Sequence, residues 1–334
     1  VEKVLSGIRS TGQLHLGNYF GAIQNFLQLQ HQHECYFFIA NLHALTTHPD
    51  PKALQESVKS VLAEYIACGI DPNLCSIYVQ SDVPEISELY VLLNMLAYKG
   101  ELEKTTSFKD KVRMQPENVN AGLLTYPVLM AADILIHRAH KVPVGKDQEQ
   151  HLEMARNFAQ RFNFRYNCDF FPEPKAYNFT GNLVKVPGLD GSGKMGKSEG
   201  EGNAIFLRDT DEQIRKKVMR AKTDSGPTEL NSKKPQEIDN LFQLLQLVSS
   251  NDTIEYFENA YNQCNIKYGE LKKQLSEDII IFVSPLREKI VDLESNTKIL
   301  KEIAHQGASK AGLNAKETMQ GVRELMGLKS IWEL

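Results

Sequence analysis

Short apolar runs and amphipathic runs alternate along the first half of the chain. Residues 3–6, 36–39 and 76–79 are brief and apolar and end in breaks of the pattern, which predicts buried strands. Between them, apolar positions recur at helical spacing: Ile23, Phe26 and Leu27 within 19–29, then Leu54, Val58, Val61, Leu62 and Tyr65 within 51–67. Strands alternating with helices at this spacing predict βαβ units and a parallel sheet. Asp50 is placed to cap the second helix, and Pro51 to begin it where a missing N–H does no harm.

A helix is expected next over 86–98, followed by a polar stretch, 99–120, of weak periodicity that reads as partly mobile. Residues 123–137 are apolar on most faces and read as one buried helix. A short strand over 141–144 and a helix over 150–162 come after it, whereas 172–183, broken by Pro172 and Pro174, reads as irregular. Around Arg208 the character changes, and the remainder patterns only as helices: 214–219, 238–248, 254–260, 271–293 and 299–325. An α/β domain therefore comes first and a mostly helical one second, with the boundary near 205–210.

Composition narrows the class. The 334 residues are 42% apolar and 24% charged, in the ordinary soluble globular range and enough for about two domains. No apolar run approaches the roughly 20 residues of a membrane span. The opening run from Val1 is too soon broken by Gly7 to read as a signal peptide. Five cysteines, odd in number and without a Cys-x-x-Cys pair, argue against a disulfide framework or a zinc or iron–sulfur site and for the cytoplasm. His31 with His33, and His137 with His140, lack helical metal-ligand spacing and a third ligand, so no protein-bound metal is expected. A net charge of −4 gives no whole-molecule attraction to nucleic acid, and such a partner would need local basic patches.

Two glycine-bearing segments carry the candidate chemistry. The first, Ser6-Gly7-Ile8-Arg9-Ser10-Thr11-Gly12-Gln13-Leu14-His15-Leu16-Gly17-Asn18, lies between the first strand and the first helix, where an open sheet binds ligands and a helix presents free N–H groups to anions. His15 could donate to a phosphate oxygen. The spacing is neither a dinucleotide fingerprint nor a P-loop, and alone it fits a capped turn with a satisfied histidine as well. The second is Val186-Pro187-Gly188-Leu189-Asp190-Gly191-Ser192-Gly193-Lys194-Met195-Gly196-Lys197-Ser198. Its four glycines make a flexible loop, and its two lysines supply compact charges for a polyphosphate. By itself it reads more readily as a solvated, glycine-rich linker.

Together they resemble the two motifs of class I aminoacyl-tRNA synthetases, written His-Ile-Gly-His and Lys-Met-Ser-Lys-Ser, here His15-Leu16-Gly17-Asn18 and Lys194-Met195-Gly196-Lys197-Ser198. Between them, Tyr126-Pro127-Val128-Leu129-Met130-Ala131-Ala132-Asp133-Ile134-Leu135 and Val142-Pro143-Val144-Gly145-Lys146-Asp147-Gln148 look like the bacterial-type tryptophanyl branch. The physics agrees. Asp133 falls inside an apolar helix, where an ionised carboxylate is costly unless paired. An indole N–H, a donor with no acceptor capacity, is a suitable mate. Pairing with Arg138 or a capping role are its other readings.

The resemblance implies a Rossmann-like catalytic domain over 1–207, with a helical connecting and dimerisation insertion at about 100–175. An all-helical anticodon-binding domain would follow over 208–334, its last helix able to pack back on the first domain. It implies activation of L-tryptophan with ATP and Mg²⁺ and transfer to tRNA(Trp) by a homodimer with no membrane contact. His15, Asn18, Lys194, Lys197 and Ser198 would act in catalysis. ATP would meet Arg9, Ser10, Thr11, Gly17, Asn18, Gly145, Lys146, Asp147, Val186, Lys194, Met195, Gly196, Lys197 and Ser198, with Mg²⁺ held by its phosphates. Asp133, Met130, Tyr126, Gln148, His43 and Leu5 would form the tryptophan pocket.

Some positions depart from the family pattern. Arg9-Ser10 stand where Gln-Pro is usual, so Arg9 either adds charge near the phosphates or points to solvent. Gly196 replaces a serine, Lys146 an acidic residue, and Leu5 a common phenylalanine. Tyrosyl specificity, a small adenylyltransferase and a non-aminoacylating tryptophan-binding paralogue stay open as alternatives. The basic run Arg215-Lys216-Lys217-Val218-Met219-Arg220-Ala221-Lys222 could follow a tRNA backbone or be a solvated helix face.

Overall fold

A computed structural model of the chain describes residues 2–10, 13–145, 149–177, 185–196 and 202–329. Strand β1 (Lys3–Arg9) pairs in parallel with β2 (Glu34–Ala40), and β2 in parallel with β3 (Ser76–Val79). Beyond β1 lie β4 (Lys141–Val142) and β5 (Lys175–Ala176), also parallel, which makes the order β3-β2-β1-β4-β5. Pleating sorts the side chains. Val4, Phe37, Ile39, Ile77 and Val79 enter one hydrophobic cluster, and Leu5, Tyr36, Phe38 and Tyr78 enter another.

The helix expected over 19–29 begins earlier, as α1 (Leu16–Asn18), widens to a π turn over Tyr19–Ile23 and continues as α2 (Gln24–Leu29). After β2 come α3 (Asn41–Ala44) and α4 (Pro51–Ala67), whose cap is Asp50, its Oδ1 accepting the Ala53 N–H at 2.9 Å. α5 (Glu85–Asn94) follows β3. The weakly periodic stretch 99–120 contains α6 (Lys99–Leu102) and α7 (Thr106–Met114). What organises α6 is distant: Arg161 donates to the Leu96 carbonyl and to Glu101 and stacks on Tyr98. The single helix expected over 123–137 is two, α8 (Ala121–Leu124) and α9 (Tyr126–Ile136). Pro127 has no N–H to continue the first into the second and instead serves in the opening turn of α9. α10 (Glu149–Arg165) precedes β5. That strand lies in a segment expected to be irregular, and is held by Lys175 and Tyr177 N–H groups on the His140 and Val142 carbonyls.

From 208 onward, no strand forms among the described residues. α11 (Asp211–Met219), α12 (Gln236–Val248), α13 (Asn251–Asn262), α14 (Tyr268–Ser295) and α15 (Thr297–Met326) make up this part. The cluster on the Val4 side of the sheet runs without a break into α11–α14. Phe282 of α14 stacks on Phe20 of the π turn at 5.1 Å. A buried ion network adds to this junction. Glu64 of α4, with no exposed surface, accepts the Leu14 N–H at 2.9 Å and Arg208 Nε at 2.6 Å. Arg208 in turn donates through both terminal nitrogens to Glu294 of α14 at 2.8 Å each.

α15 returns to the sheet and covers the edge strand β3, an edge that would otherwise offer unpaired backbone groups. The approach is so close at Gly307 that an added β-carbon would stand 1.7 Å from the Ile77 carbonyl oxygen. Beside it His137 is wholly buried, with the Tyr78 hydroxyl 2.8 Å from Nε2 and Asn314 Oδ1 2.9 Å from Nδ1. The amide oxygen only accepts, so Nδ1 carries the proton and Nε2 accepts from Tyr78.

Burial holds the His137 pKa down at about 3. The unfolded chain, with an ordinary histidine near ~6.5, therefore binds one more proton throughout the window between the two values. Stability that His137 contributes is complete above about 6.5 and is lost as pH falls toward about 3. His137→Asn keeps a donor and an acceptor without titrating. Urea unfolding across that window is expected to give a shallower acid loss for this variant than for the wild type, and identical slopes would refute the assignment.

Candidate active site

The carboxyl ends of β1, β2 and β3 open onto one rim, next to the switch between β1 and β4 where strand order reverses. Open α/β sheets bind ligands there. Asp133, on α9, faces this rim from beneath with no exposed surface. Its Oδ2 lies 2.8 Å from His43 Nε2, and its Oδ1 accepts from Gln80 Nε2 at 2.7 Å. His43 stands on α3 just after β2, and Gln80 follows β3 directly. Gln80 Oε1 accepts the Leu42 N–H at 3.0 Å, which fixes its amide with the NH₂ toward the carboxylate. Burial pushes the Asp133 pKa up, and the His43 and Gln80 contacts oppose it. Arg138 is not the partner: its guanidinium pairs with Glu317 at 2.6 Å.

Sequence reading missed Gln80. The available signal was a side-chain amide at the very end of an apolar strand, but its acid lies far along the chain. Tyr126 opens α9 with its ring 4.3 Å from that of His43. Its hydroxyl accepts from Arg9 Nη2 at 3.1 Å, and Lys111 of α7 places its ammonium 3.4 Å over the ring. Burial, then the neighbouring Arg9, lowers the Lys111 pKa to about 8. Arg9 stays exposed, as one of its two readings has it, and its guanidinium reaches the Tyr126 end of the rim. Lys111, also missed, comes from the stretch that looked featureless. Leu5 is buried in the α9 cluster, and Met130 packs half-buried against the same cluster.

On the other side of the rim, Ser10 is buried and its hydroxyl has no hydrogen-bond partner among the described residues. His15, also buried, donates its backbone N–H to Asn18 Oδ1 at 3.0 Å and turns its ring edge-on to Phe206. Residues 14–16 pair with 205–207 through Leu16 N–H to Ile205 O and Leu207 N–H to Leu14 O. Gly17 is where the two glycine-bearing segments meet. A β-carbon there would stand 2.8 Å from His15 Nδ1, so a larger residue would displace the His15 ring, and 3.5 Å from Met195 Cβ. Met195 is buried, and its N–H bonds the Val186 carbonyl at 2.7 Å. Lys194 is exposed beside it, and Gly145 and Gly196 are half-buried. Thr11, Lys146, Asp147, Gln148, Lys197 and Ser198 lie outside the described residues.

Two members of the basic run on α11 are paired within the protein, Lys217 largely covered and Arg215 at the surface. Lys217 bonds Asp209 at 2.6 Å and the Ala204 carbonyl at 3.0 Å, and Arg215 pairs with Glu277 at 2.7 Å. Among the described residues no group of three or more His, Cys, Asp or Glu is placed to hold a metal. Among them, too, no helix is long and apolar enough to cross a membrane.

The family profile described as tRNA synthetases class I (W and Y) matches residues 2–284. The chain is 58% identical over 329 residues to the tryptophan–tRNA ligase of Porphyromonas gingivalis, spanning 98% of this chain and 100% of that one. To the tryptophan–tRNA ligase of Rickettsia bellii it is 40% identical over 327 residues, spanning 97% and 98%. Among solved structures it resembles tryptophanyl-tRNA synthetase from Campylobacter jejuni complexed with ADP and tryptophan. The TM-score is 0.88 at 36% identity, with 97% of this chain and 99% of that one covered.

Gln80→Leu keeps the bulk of the side chain and removes one of the two donors on Asp133. Leaving a buried acid short of a partner costs about 1–3 kcal/mol. A fall of that size in urea-unfolding free energy is expected, and an unchanged value would show that the amide contact does not support the carboxylate.

Proposed function

The chain belongs to the class I tRNA synthetases for tryptophan and tyrosine, and we infer from this membership and from its rim that it works as a tryptophan–tRNA ligase. It activates L-tryptophan with ATP to tryptophanyl-adenylate and pyrophosphate, then transfers tryptophan to the 3′-terminal adenosine of tRNA(Trp). The observation that carries this reading is Asp133, a fully buried carboxylate whose two oxygens each hold one protein donor. Each oxygen keeps a further lone pair, and the indole N–H supplies a donor for one of them. Phenylalanine offers none. A site built around such a bond can reject the analogue lacking it by about 10⁴–10⁵-fold.

Leu5 and Met130 give the indole apolar walls, His43 holds the acid, and Tyr126 with Gln148 receives the substrate ammonium group. Arg9 and Lys111 bring positive charge to the same end, where the substrate carboxylate and the α-phosphate have to approach each other. ATP lies across Ser10, Thr11, Gly17 and Asn18, with its ribose at Gly145 and Asp147 beside Lys146 and its far side at Val186, Met195 and Gly196. The orphaned Ser10 hydroxyl supports this, since a buried polar group without a partner suits a site awaiting one. His15 meets a phosphate oxygen.

The tryptophan carboxylate is already a nucleophile, so it attacks the α-phosphate in line and pyrophosphate departs without a side-chain base. Lys194, Lys197 and Ser198 neutralise and hold the departing pyrophosphate, which places catalysis in positioning and charge stabilisation. Mg²⁺, carried in on the triphosphate rather than by a cluster of side chains, supplies charge neutralisation on the phosphate oxygens.

The sheet-bearing part up to residue 207 is the catalytic domain in this reading, and the helices from 208 onward read the tRNA. The protein acts as a homodimer. Val91, Met95 and Tyr98, at 51%, 73% and 60% exposure along and just after α5, form an apolar strip suited to a second copy. Its place of work is the cytoplasm, which keeps its five free cysteines reduced.

ATP–pyrophosphate exchange tests the reading. Exchange is expected with tryptophan and not with tyrosine or phenylalanine. Asp133→Ala is expected to lower kcat/KM for tryptophan by about 10–100-fold or more, the worth of a hydrogen bond to a charged group. Exchange with tyrosine would move the chain to the sister specificity. Tryptophan binding without exchange would leave a tryptophan-binding protein that does not aminoacylate.

A further inference from the structure

Among the described residues, the base of the lysine loop is bonded by Asn203, which accepts the Leu189 and Asp190 N–H groups, and by the helical part. The helical tie is to α12. Asn240, only 1% exposed, donates from Nδ2 to the Gly188 carbonyl at 3.3 Å and to the Ser192 carbonyl at 2.8 Å. Those two carbonyls bracket the turn that leads into Lys194. Gln236, one turn earlier on α12, donates to Asn240 Oδ1 at 2.8 Å. That bond settles which way the amide points: turned over, it would set its oxygen against two carbonyl oxygens and its NH₂ against a donor. The Lys222 N–H, just past α11, adds a bond to the Leu189 carbonyl at 3.2 Å. Further along the loop, Met195 is buried in the same apolar cluster as Leu14 and Leu16 of the first motif. The loop therefore bridges two parts of the molecule, anchored on the helical part and touching the nucleotide side of the sheet.

We propose that Asn240 is a positioning residue for the adenylation step, a role that rests on the tryptophan–tRNA ligase reading. It never reaches the reacting atoms. By gripping both sides of the turn it fixes where Lys194 stands, so that the ammonium meets the departing pyrophosphate instead of sampling solvent. A buried amide with two donors is the fitting group: it satisfies two carbonyls together, which an alanine, a serine or a carboxylate cannot do. Because its grip is on the loop alone, the role predicts damage to ATP chemistry and none to tryptophan recognition at Asp133.

Asn240→Ala is the primary test, read by pyrophosphate exchange, by tryptophan affinity in equilibrium dialysis and by amide hydrogen exchange over residues 186–195. The expected result is a fall in kcat, or in kcat/KM for ATP, of about 10–100-fold, the worth of two ordinary hydrogen bonds. Tryptophan affinity should move by less than about twofold, and amides of 186–195 should exchange faster while the rest keep their protection. A folded variant with ATP kinetics within about twofold of wild type would overturn the proposal. So would an equal loss of tryptophan affinity, or unchanged loop exchange. Should Asn240→Ala fail to fold, Gln236→Ala decides. It sits at an exposed position and removes only the orienting donor, so a loss of under about 10-fold, confined to ATP kinetics and loop protection, is expected. No change in either quantity would overturn the role. Absence of tryptophan-dependent exchange in the wild-type chain would instead remove the ligase reading, and the proposal with it.

Discussion

A carboxylate with no exposed surface must be met by donors or give up its charge, and the site is organised around that requirement at Asp133. The two donors come from different places. His43 follows β2 and Gln80 follows β3, while the acid sits on α9, so one buried charge joins two strand ends to the helix packed beneath them. Gln80 adds a further link by accepting the Leu42 N–H, which ties the start of α3 to the end of β3. Change any member and a buried polar group is left short. The group suited to read the indole is thus also the group that fixes the rim, and selectivity and local stability rest on the same atoms.

A second buried carboxylate does comparable work on the nucleotide side. Glu64 holds the backbone of Leu14, immediately before His15, and also Arg208, where the sheet-bearing part gives way to helices. Arg208 passes the connection to Glu294 at the end of α14. Breaking the Glu64–Arg208 pair would leave the fully buried Glu64 charge short of its cation, a strong penalty even where an intact pair adds little. With Phe282 stacked on Phe20 and one apolar cluster running through both regions, the first motif is held from the sheet and from the helical part at once.

The sequence was most informative where a single period dominates. The strand β3 and the helix α4 were placed at their observed bounds because the apolar pattern, the Asp50 cap and Pro51 all agree. It was least informative where short elements depend on partners far away. β5 is two residues in a proline-rich stretch and exists through its bonds to the β4 region. α6 is four residues, too short to show a period of its own, and Arg161 orders it from α10. The site divides in the same way. Asp133 stood out because an acid in an apolar helix is conspicuous. Gln80 and Lys111 did not, since an amide at a strand end and a lysine in a polar helix are ordinary until the fold sets them against Asp133 and Tyr126. Arg9 was noticed, yet its direction depended on Tyr126, which pattern alone could not supply.

The two chemical tasks fall on parts of different stiffness. In the ligase reading, amino-acid recognition falls to strand ends and α9, where side chains are held by packing and by their own hydrogen bonds, and misplacement by a fraction of an ångström would blur discrimination. In the same reading, phosphate chemistry falls to a glycine-rich loop, which suits charge that must be met while pyrophosphate leaves and released afterwards. A free loop would meet that charge poorly, because ordering it would cost conformational entropy in every turnover. Anchoring its base on α12, and leaving Lys194 at its exposed end, limits that cost without fixing the lysine itself. Burial of Met195 beside Leu14 and Leu16 then gives the loop a defined place against the first motif.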